Sequence, residues 1–263
     1  MSKDYREEKD EKKLLLAKIN DKYKFSITKN QITNTDFLNM SDKIIAQKFL
    51  NENKIKNYLF FGGNDENSDR NILIFYPEKF NNDMVEKNLP KIVSVIRIKL
   101  PKDIKYEHKN YLSGILKLGI KREKVGDILV RDDGADIIVL NEIVNFMKNN
   151  LENLTRFKSS QIEIIDIKNT KKQEIKYQEL KVIVSSMRLD NFISELGKCS
   201  RSKAIDIINE QRVQVNYNIE QKYSKKINIG DLIIIRGKGK FIIGEIERQT
   251  KSEKYVVNIK KYI

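Results

Sequence analysis

Two residue types that build many active sites are nearly missing from this 263-residue chain, which has one cysteine, Cys199, and one histidine, His108. One of each excludes a Cys/His zinc site and an intrachain disulfide. Ser-His or Cys-His catalysis would have to use His108, far in sequence from Cys199, so both residues are read as structural. Proline is also scarce, occurring only at Pro77, Pro90 and Pro101. There is no Pro/Gly/Ser-rich linker and no internal repeat, so boundaries must be read from the hydrophobic pattern. No apolar run approaches the roughly 20 residues of a membrane span. The first residues, Met1 to Lys13, are charged and lack the apolar core of a secretion signal. The expectation is a cytoplasmic, monomeric protein with no membrane partner, no metal and no cofactor.

What the chain has in excess is positive charge: a net of +14. Such an excess favours a polyanionic partner, nucleic acid first and an anionic membrane surface second. Residues 187–263 carry 16 Lys/Arg against 9 Asp/Glu, a net of +7. The first 186 residues carry the other +7. The C-terminal segment thus has more than twice the charge density of the rest. A membrane-surface role would need a basic amphipathic helix, and the helix expected over Lys9–Tyr23 mixes acids with bases.

The pattern predicts an α+β chain in three parts. Residues 1–82 form a helical module with a β-hairpin. Its helices are expected at Lys9–Tyr23 and after an N-cap at Ser41. Its strands, Tyr58–Phe61 and Asn71–Tyr76, flank the turn-forming residues Gly62, Gly63, Asn64 and Asp65. Residues 83–180 run strand (Val93–Leu100), helix (Lys109–Leu118), strand (Asp127–Arg131), strand (Asp136–Leu140), helix (Glu142–Leu151) and strand (Gln161–Ile167). This is the ferredoxin-like βαββαβ order that RNA-recognition motifs share. Such motifs stack bases on sheet aromatics. Neither Val93–Leu100 nor Asp136–Leu140 contains an aromatic, so this sheet is expected to be a scaffold. The basic run Lys121-Arg122-Glu123-Lys124 reads equally as a phosphate contact or as solvated charge.

Residues 181–263 hold the most informative constellation. Leu189, Phe192, Ile193 and Leu196 recur at helical spacing, with Gly197 suited to the C-terminal cap. Ser200 is a candidate N-cap for a second helix, Arg201 to Gln211. Short strands follow at Arg212–Asn216, Leu232–Arg236 and Phe241–Ile246, with turns at Gly230-Asp231 and Gly237-Lys238-Gly239-Lys240. The start of the second helix offers backbone N–H groups and a partial positive charge to a phosphate. Ser200, Arg201, Ser202 and Lys203 surround it with donors, and Arg188 can add a bidentate contact. Arg212, Lys222 and Lys225 would extend the surface. Each has a plainer reading: Ser200 as a cap alone, Asp190 as a cap or local ion pair, the lysines as solvated charge.

The triplet Arg188-Leu189-Asp190, then Ser200-Arg201-Ser202-Lys203-Ala204, Arg212-Val213 to Val215-Asn216, and Gly230-Asp231 before an apolar strand resemble the S-four RNA-binding domain. Upstream, His108-Lys109-Asn110-Tyr111-Leu112 and Leu118 to Ile128, with Arg236-Gly237-Lys238-Gly239-Lys240-Phe241 downstream, are similar to the YlmH family of bacterial proteins. The resemblance implies a non-catalytic factor of ribosome-associated quality control. Relatives hold peptidyl-tRNA on a split large ribosomal subunit while a partner tails the stalled peptide with alanine. It makes large-subunit ribosomal RNA the partner, with peptidyl-tRNA and the peptide-tailing factor beside it, and Arg188 and Arg201 the residues that grip RNA. One departure is Gly62-Gly63-Asn64-Asp65-Glu66, where relatives carry a longer, more aromatic loop. The alternative is an RNA-modifying enzyme, because S-four domains are often joined to pseudouridine synthases and RNA methyltransferases. Against it, Asp190 belongs to the S-four helix itself, and Gly62-Gly63 lacks the wider glycine pattern of a cofactor loop.

Overall fold

The structure, a computed structural model, describes residues 3–63, 68–170 and 176–263. The chain divides into two compact units, residues 1–173 and 174–263. Among the described residues no helix is long and apolar enough to cross a membrane.

The first unit opens with helix α1 (Lys3–Lys29), which runs beyond the expected span at both ends. It stops where Asn30 turns left-handed at φ 55°. Strand β1 (Thr33–Asn34) and helix α2 (Met40–Glu52) follow. Asn39, not Ser41, caps α2: its side-chain oxygen accepts the Asp42 N–H at 2.9 Å. Asn and Ser are equally good caps by chemistry, so the local sequence does not choose between them. Strands β2 (Tyr58–Phe61) and β3 (Ile72–Phe75) pair antiparallel as the expected hairpin, and the sheet order is β1-β3-β2. Residues Asn64, Asp65 and Glu66 of its turn lie outside the described residues.

All four residues of β3 are buried. Leu73 and Phe75 pack with Ile19, Ala46 and Leu50 of α1 and α2. Ile72 and Ile74 face the other way, joining Val85 and Leu89 of helix α3 (Asn82–Ile92). The sequence pattern misses α3 because Pro90, a breaker in a helix interior, sits within its last turn.

The ferredoxin-like order is present as expected: β4 (Val93–Lys99), α4 (His108–Lys117), β5 (Val125–Arg131), β6 (Gly134–Leu140), α5 (Val144–Asn153) and β7 (Gln161–Ile165). The spatial order is β5-β6-β4-β7, all antiparallel. Gly134 closes the β5–β6 hairpin at φ 152°, and a Cβ there would meet the Ile98 carbonyl oxygen at 1.8 Å. Ile96, Ile98, Ile137 and Val139 point to α4 and α5. Val93, Val95, Ile138 and Leu140 point to the opposite face and pack on Ile72, Ile74, Val85 and Leu89. The face that an RNA-recognition motif would offer to bases is therefore filled by the N-terminal module.

That face also holds an ion triad. Asp136 is 1% exposed and accepts Arg97 Nε at 2.8 Å and Arg97 Nη2 at 2.7 Å. Arg131 Nη1 donates to the same carboxylate.

The basic run Lys121–Lys124 is mostly structural. Lys124 Nζ reaches Asp36 and Glu142, both at 2.6 Å. Arg122 turns inward onto the Val125 and Gly126 carbonyls, beside Arg70, which donates to the Val125 and Phe37 carbonyls. Burial and then the Arg70 charge pull the Arg122 guanidinium down to about 10. Burial and then the like charge of Asp69 push the neighbouring Asp127 carboxyl up to about 6. Native protein thus keeps a proton on Asp127 that the unfolded chain releases near 3.8. Its contribution to stability falls as pH rises from about 4 to about 6. Urea midpoints measured across that window should flatten in Asp127→Asn, and an unchanged slope would assign the titration elsewhere.

Strand β8 (Tyr177–Val184) begins the second unit, followed by α6 (Leu189–Gly197) and α7 (Arg201–Asn209). Then come β9 (Val213–Val215), β10 (Asn218–Ile219), β11 (Leu232–Ile235), β12 (Gly239–Gln249) and β13 (Tyr255–Tyr262). The sheet order is β10-β9-β11-β12-β13-β8. Leu189, Phe192, Ile193, Ala204 and Ile208 of the helices bury against Val213, Ile233, Phe241, Ile243 and Val257 of one sheet face.

Candidate nucleic-acid interface

The apolar stripe of α6 fixes which of its residues remain at the surface. With Leu189, Phe192 and Ile193 inside, Arg188 stands at the N-cap and Asp190 falls just below it. The expected glycine cap is displaced by one residue: Gly197 is the last helical residue, and Lys198 adopts the left-handed conformation at φ 50°. The link Lys198–Ser200 is short, so α7 starts close to the start of its own packing against α6. Ser200 caps α7, its Oγ accepting the Lys203 N–H at 3.2 Å. Arg201, Ser202 and Lys203 are exposed at that end.

Both arginines converge on one carboxylate. Arg188 donates Nε to Asp190 Oδ1 at 3.1 Å and Nη2 to Oδ2 at 3.0 Å. Arg201 donates Nε to Oδ2 at 2.9 Å and approaches it with Nη2 at 2.7 Å. The Asp190 side chain is fully buried, whereas that of Arg201 is 56% exposed. Burial alone would raise the Asp190 pKa, but the hydrogen bonds and charges of Arg188 and Arg201 outweigh it and hold the carboxyl below its usual range. The result is two guanidinium groups with fixed orientation and outward-facing edges. Side-chain entropy is lost on folding rather than on binding, which is what preorganisation means for affinity.

The loop before Ile227 completes the surface. The Leu189 N–H donates to the Lys225 carbonyl at 2.9 Å, and the Asp190 N–H to the Tyr223 carbonyl at 3.0 Å. These bonds satisfy the first donors of α6 and hold the loop against it. The exposed Tyr223 ring lies 5.8 Å from the Arg188 guanidinium carbon. Lys225 is pulled aside by Glu220, 2.7 Å away, while Lys222 is exposed. Arg188, Ser200, Arg201, Ser202 and Lys203 thus gather at the helix starts, with Lys222 and Lys225 in the flanking loop. Arg212 does not join them: it follows the far end of α7 and pairs with Glu210 at 3.3 Å. Tyr223 was not singled out in the sequence, although an aromatic set among Lys222, Lys225 and Lys226 is a recognisable signal for nucleic-acid contact.

Residues 187–233, which contain this arrangement, match the S4 domain, the S-four domain anticipated above. Residues 91–172 match the domain described as "Putative RNA-binding domain in YlmH". The chain thus joins a segment similar to the YlmH RNA-binding domain to an S4 domain. A curated relative, "Ribosome-associated protein quality control protein P2" of Bacillus subtilis, is 25% identical over 227 residues, covering 86% of each chain. A solved structure, "Cell division protein ylmH from Streptococcus pneumoniae", is 18% identical with a TM-score of 0.45, covering 64% of this chain and 94% of that one. The chain therefore carries two domains of RNA-binding type.

Proposed function

We propose that this protein is a non-catalytic RNA-binding factor that acts in the cytoplasm on the large ribosomal subunit, in ribosome-associated quality control. On this reading it grips ribosomal RNA through Arg188 and Arg201 and steadies peptidyl-tRNA while a separate factor tails the stalled peptide. The observation that carries the reading is the pair of guanidinium groups oriented by one buried carboxylate beside an exposed tyrosine. Planar, bidentate donors suit phosphate and guanine edges, and an aromatic face suits an unstacked base. The name of the Bacillus subtilis relative supports the ribosomal setting.

Co-sedimentation of the full chain with large ribosomal subunits tests this reading. Association should weaken steeply between about 50 and 200 mM salt, because phosphate contacts release counterions. Arg201→Ala should lower affinity by about 5- to 150-fold, corresponding to the ~1–3 kcal/mol of a well-placed arginine contact. Asp190 keeps its two bonds from Arg188 in that variant, so the fold should persist. Salt-independent association, or full binding by Arg201→Ala, would refute the assignment.

A further inference from the structure

The second unit carries a basic, aromatic end far from Arg188 and Arg201. β9 begins, β11 ends, β12 begins, β13 ends and β8 begins at one end of the sheet, because neighbouring strands run antiparallel. Arg212 and the turn Arg236-Gly237-Lys238-Gly239-Lys240 lie there. So do Lys176 and the final residues of β13.

On the sheet face turned away from α6 and α7, one cross-strand row combines charge with rings. Tyr177 pairs with Tyr262 across β8 and β13, and Phe241 pairs with Lys261, which sets Lys240 beside Tyr262. Lys240 Nζ sits 5.7 Å from the centre of the Tyr262 ring. The Tyr177 and Tyr262 ring centres are 5.0 Å apart, and Tyr177 is 41% exposed. β8 is an edge strand, so this row opens sideways to solvent. Among the described residues, the acidic side chains at this end are Glu179, opposite Lys260, and Glu210, paired with Arg212. They leave the basic groups in clear excess.

We propose that this end of the sheet is a second RNA-contact surface, which takes a single-stranded segment by stacking a base on Tyr177 and pairing backbone phosphates with Lys238 and Lys240. Sheet-face aromatics beside cations are the means by which single strands are held without reading a fixed sequence. Seven residue steps of β8 separate Tyr177 from Val184, about 23 Å at ~3.3 Å per residue. Arg188 lies beyond Val184. The two surfaces are therefore too far apart to share one phosphate, and an RNA that reaches both gains from the second as an intramolecular contact. This inference rests on the RNA-binding reading above and adds a site to it.

The test is fluorescence anisotropy of the full chain with a labelled decauridine across a salt series. Lys238→Ala/Lys240→Ala should reduce the salt slope by about 1.4, at ~0.7 per single-strand phosphate contact. Tyr177→Leu, which keeps an apolar side chain at the strand start, should weaken binding at least about fivefold with an unchanged salt slope. Melting curves equal to wild type in both variants exclude unfolding as the cause. Wild-type affinity in both variants, with loss only in Arg201→Ala, would overturn the second surface and leave the proposed function standing. No binding of decauridine or of ribosomal RNA by wild type, or binding to anionic vesicles in their place, would overturn both.

Discussion

Replacing Arg188 and Arg201 together by alanine is expected to destabilise the second unit at neutral pH, beyond any loss of RNA affinity, because a buried carboxylate loses its counter-ions. The reason lies in the carboxylate that both arginines serve. Asp190 is fully buried, and the four approaches from Arg188 and Arg201 compensate its charge. With both removed, the carboxylate keeps only the Asn191 N–H, at 3.1 Å, and its pKa should rise because burial is no longer outweighed. The defect should be complete above that raised pKa and should shrink as pH falls through it, since protonation removes the charge. Adding Asp190→Asn should restore most of the stability at neutral pH and none of the RNA binding. Urea denaturation at pH 5 and 7, with RNA affinity measured on the triple variant, separates the two effects. A triple variant that recovers both stability and binding would show that the arginines do not touch RNA.

The second large effect is expected in the first unit. Asp136→Ala should lower its stability by about 3–5 kcal/mol, because Arg97 and Arg131 lose their shared buried counter-ion. Their side chains are 20% and 17% exposed, so water replaces the carboxylate only in part. For a unit of this size the melting temperature should drop by roughly 6–20 °C, at ~2–4 °C per kcal/mol. A drop of a degree or less would mean that the two guanidinium groups find other partners, such as the Asn169 carbonyl that Arg97 already reaches at 3.1 Å.

Periodicity made the two central strands, both ferredoxin-like helices and the α6 stripe legible in the sequence, since each alternates or recurs with the period of its element. Leu189, Phe192, Ile193 and Leu196 are all buried, as their spacing requires. Single-residue decisions were less legible. Asn39 and Ser41 are competing caps of equal strength, and only packing chooses between them. Gly197 is the better left-handed residue by chemistry, yet the turn falls one position later, on Lys198. Asp136 alternates like any outward polar residue, so nothing local distinguishes it from a solvated one. Its burial follows from Arg97 and Arg131, which reach it from the two neighbouring strands. At the interface, Arg188 and Arg201 stood out as helix-start arginines. Their meeting on Asp190 depends on how α6 crosses α7, and Tyr223 joins them only because a distant loop supplies carbonyls to α6.

The twofold burial of β3 also constrains how the chain matures during its own synthesis. Ile72 and Ile74 are made early, but their partners Ile138, Leu140 and Ile167 are among the later residues of the unit. Until Ile167 has left the exit tunnel, the nascent N-terminal module carries a greasy face with nothing to close it, a form in which partly made chains invite chaperones or misassembly. The second unit faces a similar wait, since Val182 and Val184 of its first strand share a core with Val257 and Ile259 of its last. A ribosome that stalls before Ile167 has cleared the tunnel would therefore display an incomplete and sticky product, whereas one that stalls well after it has emerged would display a finished first unit.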